Sequence, residues 1–275
     1  MGLLSFLPAV QTLTQQLADA KAQVRTLRDE LKALQNEAKQ DRTAVLDPHA
    51  LKAILKGDGQ NYQSAEPFPH IVIDNFLPSA ILQRVAVEFD GMDRTGWNRT
   101  NNADEKKLSS VDDTRFGPFT NKVIHALNSS AFLMFLERLT GIAGIIADPH
   151  LRGGGLHEIE PGGKLGVHAD FNFYERLKIY RRLNLLIYLN QTWQESWGGQ
   201  LELWSKDGTQ PVRSVLPTFN RAVIFDTSNK SYHGHPQPLA CPEGESRKSL
   251  ALYYYTTEYP YRDDLAPHST IFIPT

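Results

Sequence analysis

The sequence predicts an α+β domain whose β part is a sandwich or barrel of short strands, preceded by a long heptad-patterned helix. Three observations lead there. After Pro149, apolar runs at 155–160, 164–171, 183–190, 200–204, 221–226 and 247–256 are divided by turn residues, the spacing of an all-β sandwich or barrel. Between 69 and 142 helical periodicity prevails, and between 10 and 34 apolar residues step by three and four.

That first run places Val10, Leu17, Val24 and Leu31 at a and Leu13, Leu27 and Leu34 at d, with Ala20 also at d. Pro8 suits a first helical turn, where its missing N–H costs nothing. A narrow a/d stripe held for about four heptads predicts a coiled-coil helix over 1–42. Valine at two a positions with leucine at most d positions leans toward a parallel homodimer over a trimer. Residues 43–68, with Pro48, Gly57, Gly59 and Pro67, read as a linker to a domain spanning 69–275. In that domain a strand at 69–73 precedes a helix marked by Leu82, Val85 and Phe89, and Pro118 opens a second helical run through Leu139. The polar stretch 97–116 reads as a surface loop, either a substrate lid or a solvated excursion.

The chain has 275 residues, 41% hydrophobic and 22% charged, with net charge -2 and a pI near 6.5. Disordered and fibrous classes are thereby excluded, and the charge leaves no footprint for nucleic acid. A single cysteine, Cys241, can form neither an intrachain disulfide nor a thiolate cluster, which suits a reducing compartment. No apolar run has bilayer-spanning length, and the first seven residues match neither a secretory leader nor a myristoylation pattern. A cytoplasmic protein without membrane or nucleic-acid partners is expected.

Chemistry concentrates in three places. In His168-Ala169-Asp170, alternate residues of an extended chain project to one face, so an imidazole and a carboxylate converge. His233 follows the apolar strand 222–225, and two histidines with one carboxylate make the facial triad of non-haem Fe(II) sites. His235 is the rival third ligand; His233 is preferred because the adjacent Gly234 leaves room at a metal. In Arg247-Lys248-Ser249, Arg247 and Ser249 share a strand face, and a buried guanidinium requires an anion. Beside an iron triad, the dicarboxylate 2-oxoglutarate is the better partner than a structural ion pair.

The order His168-x-Asp170, His233, Arg247-x-Ser249 resembles the Fe(II)/2-oxoglutarate-dependent dioxygenase superfamily. The texture Gly162-Gly163-x-Leu165-x-x-His168, Leu189-Asn190-x-x-Trp193 and Gly198-Gly199-x-Leu201-x-Leu203-Trp204 is similar to its prolyl 4-hydroxylase-like branch. The resemblance is strongest over 153–256 and leaves the N-terminal helix outside. It implies a double-stranded β-helix (jelly-roll) core and hydroxylation of a C–H bond in a peptidyl residue, such as proline, or a small molecule, with release of succinate and CO2. It further implies Fe(II) on His168, Asp170 and His233, O2 and 2-oxoglutarate as cosubstrates, and ascorbate as an accompanying reductant. Arg247 matches the residue pairing with the distal carboxylate of 2-oxoglutarate, and Tyr188 a tyrosine that bonds the same carboxylate in some relatives. Halogenating relatives have a small residue at the position of Asp170, so hydroxylation is expected.

Other residues carry weaker signals. His157 reads as structural, or as lying near the site's mouth. Arg176, Lys178, Arg181 and Arg182 read equally as a hold on an acidic substrate or a charged strand edge, and Trp193, Trp197 and Trp204 as core or a binding face. A zinc hydrolase could use the same triad but leaves Arg247 and Ser249 without a role. A coiled-coil scaffold with a ligand-binding barrel is the remaining alternative.

Overall fold

The structure is a computed structural model that describes residues 7–41, 44–259 and 266–274. Residues 1–6, read above for targeting signals, lie outside the described residues, as do the side chains of Val10 and Leu34. Two compact units are present, one ending at Ala44 and one beginning at Val45.

The first unit is a single helix, α1 (Leu7–Asp41), of 35 residues. At about 1.5 Å per residue it runs for roughly 50 Å. Its heptad leucines are solvent-exposed, Leu13 at 64% and Leu27 at 57%. No helix among the described residues is long and apolar enough to cross a membrane.

The second unit begins earlier than the composition suggested. Instead of a linker, residues 48–64 form α2 (Pro48–Lys56) and a 3-10 turn (Asp58–Ser64). Asp47 caps α2 by accepting from the His49 amide at 2.8 Å. Leu51, Ile54 and Leu55 pack on the core beside buried Val45, and buried Tyr62 donates to Asp226 Oδ1 at 2.6 Å. A nine-residue helix between Pro and Gly residues is too short to announce itself by periodicity.

The strand β1 (His70–Ile73) leads into α3 (Ser79–Gly91). The stretch expected to be a loop is a hairpin, β2 (Asn98–Asn101) and β3 (Glu105–Ser110), anchored by buried Trp97 and Phe116. Strand β3 joins the sheet through its backbone, which composition does not reveal. Helices α4 (Pro118–Leu127) and α5 (Ser130–Thr140) follow. The remaining strands are β4 (Ile146–Ala147), β5 (Gly155–Ile159), β6 (Lys164–Ala169), β7 (Phe173–Tyr174) and β8 (Ile179–Tyr188). After them come β9 (Leu201–Trp204), β10 (Pro211–Val215), β11 (Ala222–Asp226), β12 (His233–His235), β13 (Arg247–Thr256) and β14 (Ile271–Phe272).

The strands pair in the order β1-β11-β8-β13-β5-β3-β6-β12-β9-β10, an antiparallel jelly-roll with helices packed on one side. Alternation sorts the central strands into two faces. Leu183, Leu185 and Ile187 of β8, with Leu250 and Leu252 of β13, join Leu82, Phe89, Val123 and Leu136 of the helices in the main core. Asn184, Leu186, Arg247, Ser249 and Tyr253 line a cavity on the other face. A register shift between Tyr254 and Tyr255 adds a residue to β8, which brings Arg181 to the cavity as well. Gly155, at φ +80, passes so near β3 that a Cβ would lie 2.1 Å from the Ser110 carbonyl oxygen.

Candidate active site

Strand β6 delivers His168, the turn after it Asp170, and β12 His233, which pairs directly with His168 in the ladder. Each histidine is fixed from behind by a backbone carbonyl. His168 Nδ1 lies 2.8 Å from the Gly166 oxygen, and His233 Nδ1 2.9 Å from that of Ser231. A carbonyl can only accept, so Nδ1 carries the proton and Nε2 presents its lone pair forward. Those Nε2 atoms lie 3.6 and 3.5 Å from Asp170 oxygens. The three donor atoms fall within 4.8 Å of one another, a spacing that could hold one metal ion. His235 is not among them.

Burial acts to raise the Asp170 carboxyl, but the Arg181 guanidinium, with His233 and His168 behind it, holds it well below the usual carboxylate range. Oδ2 receives Arg181 Nη2 at 3.0 Å and Asn184 Nδ2 at 2.7 Å. Arg181 also donates from Nε and Nη2 to Asn184 Oδ1, at 2.9 and 2.7 Å, and lies 3.4 Å above the Tyr253 ring. Burial, with the neighbouring His168, lowers His233 to about 4, so its ring is neutral at ordinary pH.

Arg247 and Ser249 line the same cavity of about 240 Å³. Arg247 is 5% exposed, donates from Nε to the Gly199 oxygen at 2.7 Å and from Nη2 to Tyr188 Oη at 3.1 Å. Among the described residues it has no carboxylate partner, so the cavity wall carries a buried, uncompensated cation. Such a charge is costly unless a ligand supplies the anion. Tyr188 is buried behind Arg247 and supports it without lining the cavity. His157 lines the cavity too, its Nε2 held 3.1 Å from the Gly153 oxygen, and burial with Lys107 pushes it down to about 3.

Several contributors escaped the sequence reading. The four basic residues after the metal motif do not act together: Arg181 is buried on Asp170, Arg182 sits near Asp226, and exposed Lys178 pairs with Glu175. Lys107 and Glu105 reach the cavity from β3, paired at 2.5 Å. Thr270 and Phe272 arrive from the C-terminal β14, the Phe272 ring 5.3 Å from that of His168. Glu105 and Lys107 fall in the stretch that reads as a lid or a solvated excursion, whereas nothing in the pattern around Thr270 and Phe272 signals a site. Trp193 and Trp197 pack edge to face beside Ile159, Leu239 and Cys241, and Trp204 Nε1 donates to Glu202; the three tryptophans are not cavity residues.

Residues 154–255, which hold the triad, Arg247 and Ser249, match the sequence profile of the 2OG-Fe(II) oxygenase superfamily. The match places a 2OG-Fe(II) oxygenase-like region in the part of the chain that carries the cavity. The chain is 27% identical to mouse prolyl 3-hydroxylase OGFOD1 over 201 residues, covering 69% of this chain and 33% of the relative. It is 31% identical to Ostreococcus tauri prolyl 3,4-dihydroxylase OGFOD1 over 100 residues, 33% of this chain and 19% of that protein. It thus spans a third or less of the length of these curated relatives. Its fold is shared with a Pseudomonas putida prolyl-4-hydroxylase, TM-score 0.53 at 19% identity over 75% of this chain and 98% of the other. A Trichoplax adhaerens prolyl hydroxylase solved with a hypoxia-inducible-factor peptide fragment gives 0.55 at 19% over 76% and 94%.

Proposed function

We propose that this chain is an oxygenase that hydroxylates a peptidyl residue, with proline the first candidate. The observation that carries the reading is the pair of carbonyl-locked histidines whose Nε2 atoms converge with Asp170 on one point, beside a buried arginine without an anion. The donor set fits Fe(II), held by His168, Asp170 and His233 with open positions remaining. The uncompensated guanidinium of Arg247, with Ser249 beside it, fits the distal carboxylate of 2-oxoglutarate. With O2, these supply the conversion of 2-oxoglutarate to succinate and CO2 as one oxygen atom enters a substrate C–H bond.

The chain's own contributions are positional. Carbonyl partners hold both histidines in the Nε2-basic tautomer, and Arg181 with Asn184 occupies Asp170 Oδ2, leaving Oδ1 as the freer oxygen. Tyr188 and the Gly199 carbonyl orient Arg247. Leu186, Leu201 and Phe272 line the cavity with apolar surface that limits water. Proline is favoured by the prolyl hydroxylases among the relatives; a small-molecule substrate would use the same cavity. A zinc hydrolase would leave the buried Arg247 charge without an anion.

The exposed heptad seam of α1 supports a parallel homodimer. A free, buried Cys241 is consistent with a cytoplasmic protein, and ascorbate is proposed as the reductant that keeps iron Fe(II). The test is anaerobic loading with Fe(II) and 2-oxoglutarate, followed by O2 and a proline-containing peptide library. Succinate release matched to a one-oxygen mass gain on a peptide is expected. Absence of metal-dependent 2-oxoglutarate turnover across all substrates would overturn the reading.

A further inference from the structure

Three of the cavity's four histidines, His168, His233 and His235, are nearly sealed from solvent, but they differ in how their rings are held. His168 and His233 each place Nδ1 on a backbone carbonyl and Nε2 toward Asp170. His235 is 2% exposed, and neither Nδ1 nor Nε2 has a hydrogen-bond partner. A buried imidazole with both nitrogens unpaired is unfavourable, and in a native fold it calls for a ligand or a role. It lies outside the group whose donor atoms converge on the metal position.

The ladder shows which end of the cavity His235 serves. Strand β12 runs against β9 with His233 opposite Leu203 and Gly234 opposite Glu202. Continuing that register sets His235 against Leu201, two residues from Gly199, whose carbonyl holds Arg247 Nε at 2.7 Å. On its other side β12 pairs His235 with Leu165, away from the His168 end. Gly234 lies tight against β6, where a Cβ would come 2.7 Å from the Gly166 oxygen, and His235 shares the strand face of His233. His235 therefore stands at the Arg247 end of the cavity.

We propose that His235 is a recognition residue for the cosubstrate, donating an imidazole N–H to the carboxylate that Arg247 attracts. The proposal rests on the reading of this cavity as the 2-oxoglutarate site. Arg247, committed through Nε and Nη2 to Gly199 and Tyr188, cannot offer its whole fork to the ligand. A second donor from the facing strand completes the grip and gives the buried imidazole a partner. Selection between a dicarboxylate and a 2-oxo acid with a methyl end then depends on His235 as well as on Arg247.

The test is calorimetric titration of the full chain loaded anaerobically with Mn(II), using 2-oxoglutarate and 2-oxopentanoate, which lacks the distal carboxylate. His235→Phe keeps a ring without nitrogen, His235→Leu is a smaller apolar alternative should Phe disturb folding, and His235→Gln keeps an N–H. Loss of a hydrogen bond to a charged group should weaken 2-oxoglutarate binding about tenfold or more in the Phe or Leu variant. The affinity for 2-oxopentanoate should be unchanged, and Gln should recover part of the 2-oxoglutarate affinity. Equal weakening of both ligands would assign His235 a structural role and overturn the proposal, as would unaltered binding of both. Should the wild-type chain bind neither acid, the cosubstrate reading itself falls, and this inference with it.

Discussion

Arg181 and Asp170 form an ion pair of 3.0 Å on the buried side of the candidate metal position, with Asn184 bonded to both. The guanidinium engages Oδ2 and thereby keeps the carboxylate ionised and its orientation fixed. Groups that orient a metal ligand commonly matter about 10–100-fold in metal affinity. Arg181→Met should therefore weaken Mn(II) or Fe(II) binding by about that range and lower the melting temperature, since breaking one side of a buried pair costs about 3–5 kcal/mol. Asn184→Ala should do the same more mildly. Metal titration and thermal melting of the two variants check this, and unchanged metal affinity in Arg181→Met would remove the clamp from the argument.

Metal loading should distinguish the two histidines of β12. His233→Ala is expected to lose bound metal, whereas His235→Ala should retain it, because only His233 presents a carbonyl-locked Nε2 to Asp170. The ring of His233 protonates only near pH 4, so its proton competes with metal well below pH 6. Loading followed from pH 7 downward should hold through pH 6 and fail toward pH 4. Retention of full loading by His233→Ala would exclude His233 as the third ligand.

Arg247→Lys is not a conservative change at this site, because a point charge cannot bond Gly199, Tyr188 and a carboxylate from one plane. The KM for 2-oxoglutarate should rise about tenfold or more, with a smaller effect on kcat. Steady-state kinetics with the cosubstrate varied decide it, and an unchanged KM would separate Arg247 from the cosubstrate.

Visibility of these features in the sequence followed strand length. His168, Asp170, Arg247 and Ser249 lie on or beside runs of six to ten residues, whose alternation shows which side chains share a face. Strand β12 has three residues and β14 two, too few for any period, so Phe272 beside His168 was invisible. The pattern offers Arg181 only as a substrate hold or a charged strand edge, and not as the partner of Asp170, because a register shift reverses its face relative to strict alternation. The hairpin at 98–110 has the composition of a loop because its strands pair through backbone groups while its side chains are largely polar.

A buried carboxylate outside the active site should set part of the pH dependence of stability. Burial raises Asp226 to about 6, even though Tyr62 donates to it at 2.6 Å. A folded pKa above the unfolded value of 3.8 means the fold prefers the protonated form, so this contribution is complete below 3.8 and is lost as pH rises through about 6. Asn resembles the protonated acid and can still accept from Tyr62. Asp226→Asn should therefore match the wild type in stability near pH 4 and exceed it at pH 8, by at most roughly 3 kcal/mol. Denaturant melts at the two pH values test the sign, and a destabilised variant at pH 8 would contradict it.

The helix α1 provides the last prediction. Leu13, Leu17, Val24, Leu27 and Leu31 lie along one heptad stripe, each between 47 and 64% exposed. An isolated helix with such a stripe gains little from propensity alone, whereas a second copy buries the same side chains in knobs-into-holes layers. Burial of even half of each leucine gives about 1 kcal/mol per residue, enough over five layers on two chains to hold a dimer at micromolar concentration. Sedimentation should therefore find the full chain dimeric and a truncation beginning at Val45 monomeric. The cut belongs at Val45 rather than at Pro67, because Val45 and Tyr62 are buried in the globular unit and their removal would expose its core. Leu17→Glu combined with Leu31→Glu should dissociate the full chain without altering the melting of the second unit. A monomeric full chain would exclude the coiled coil, and a truncation that stays dimeric would place the interface on the jelly-roll.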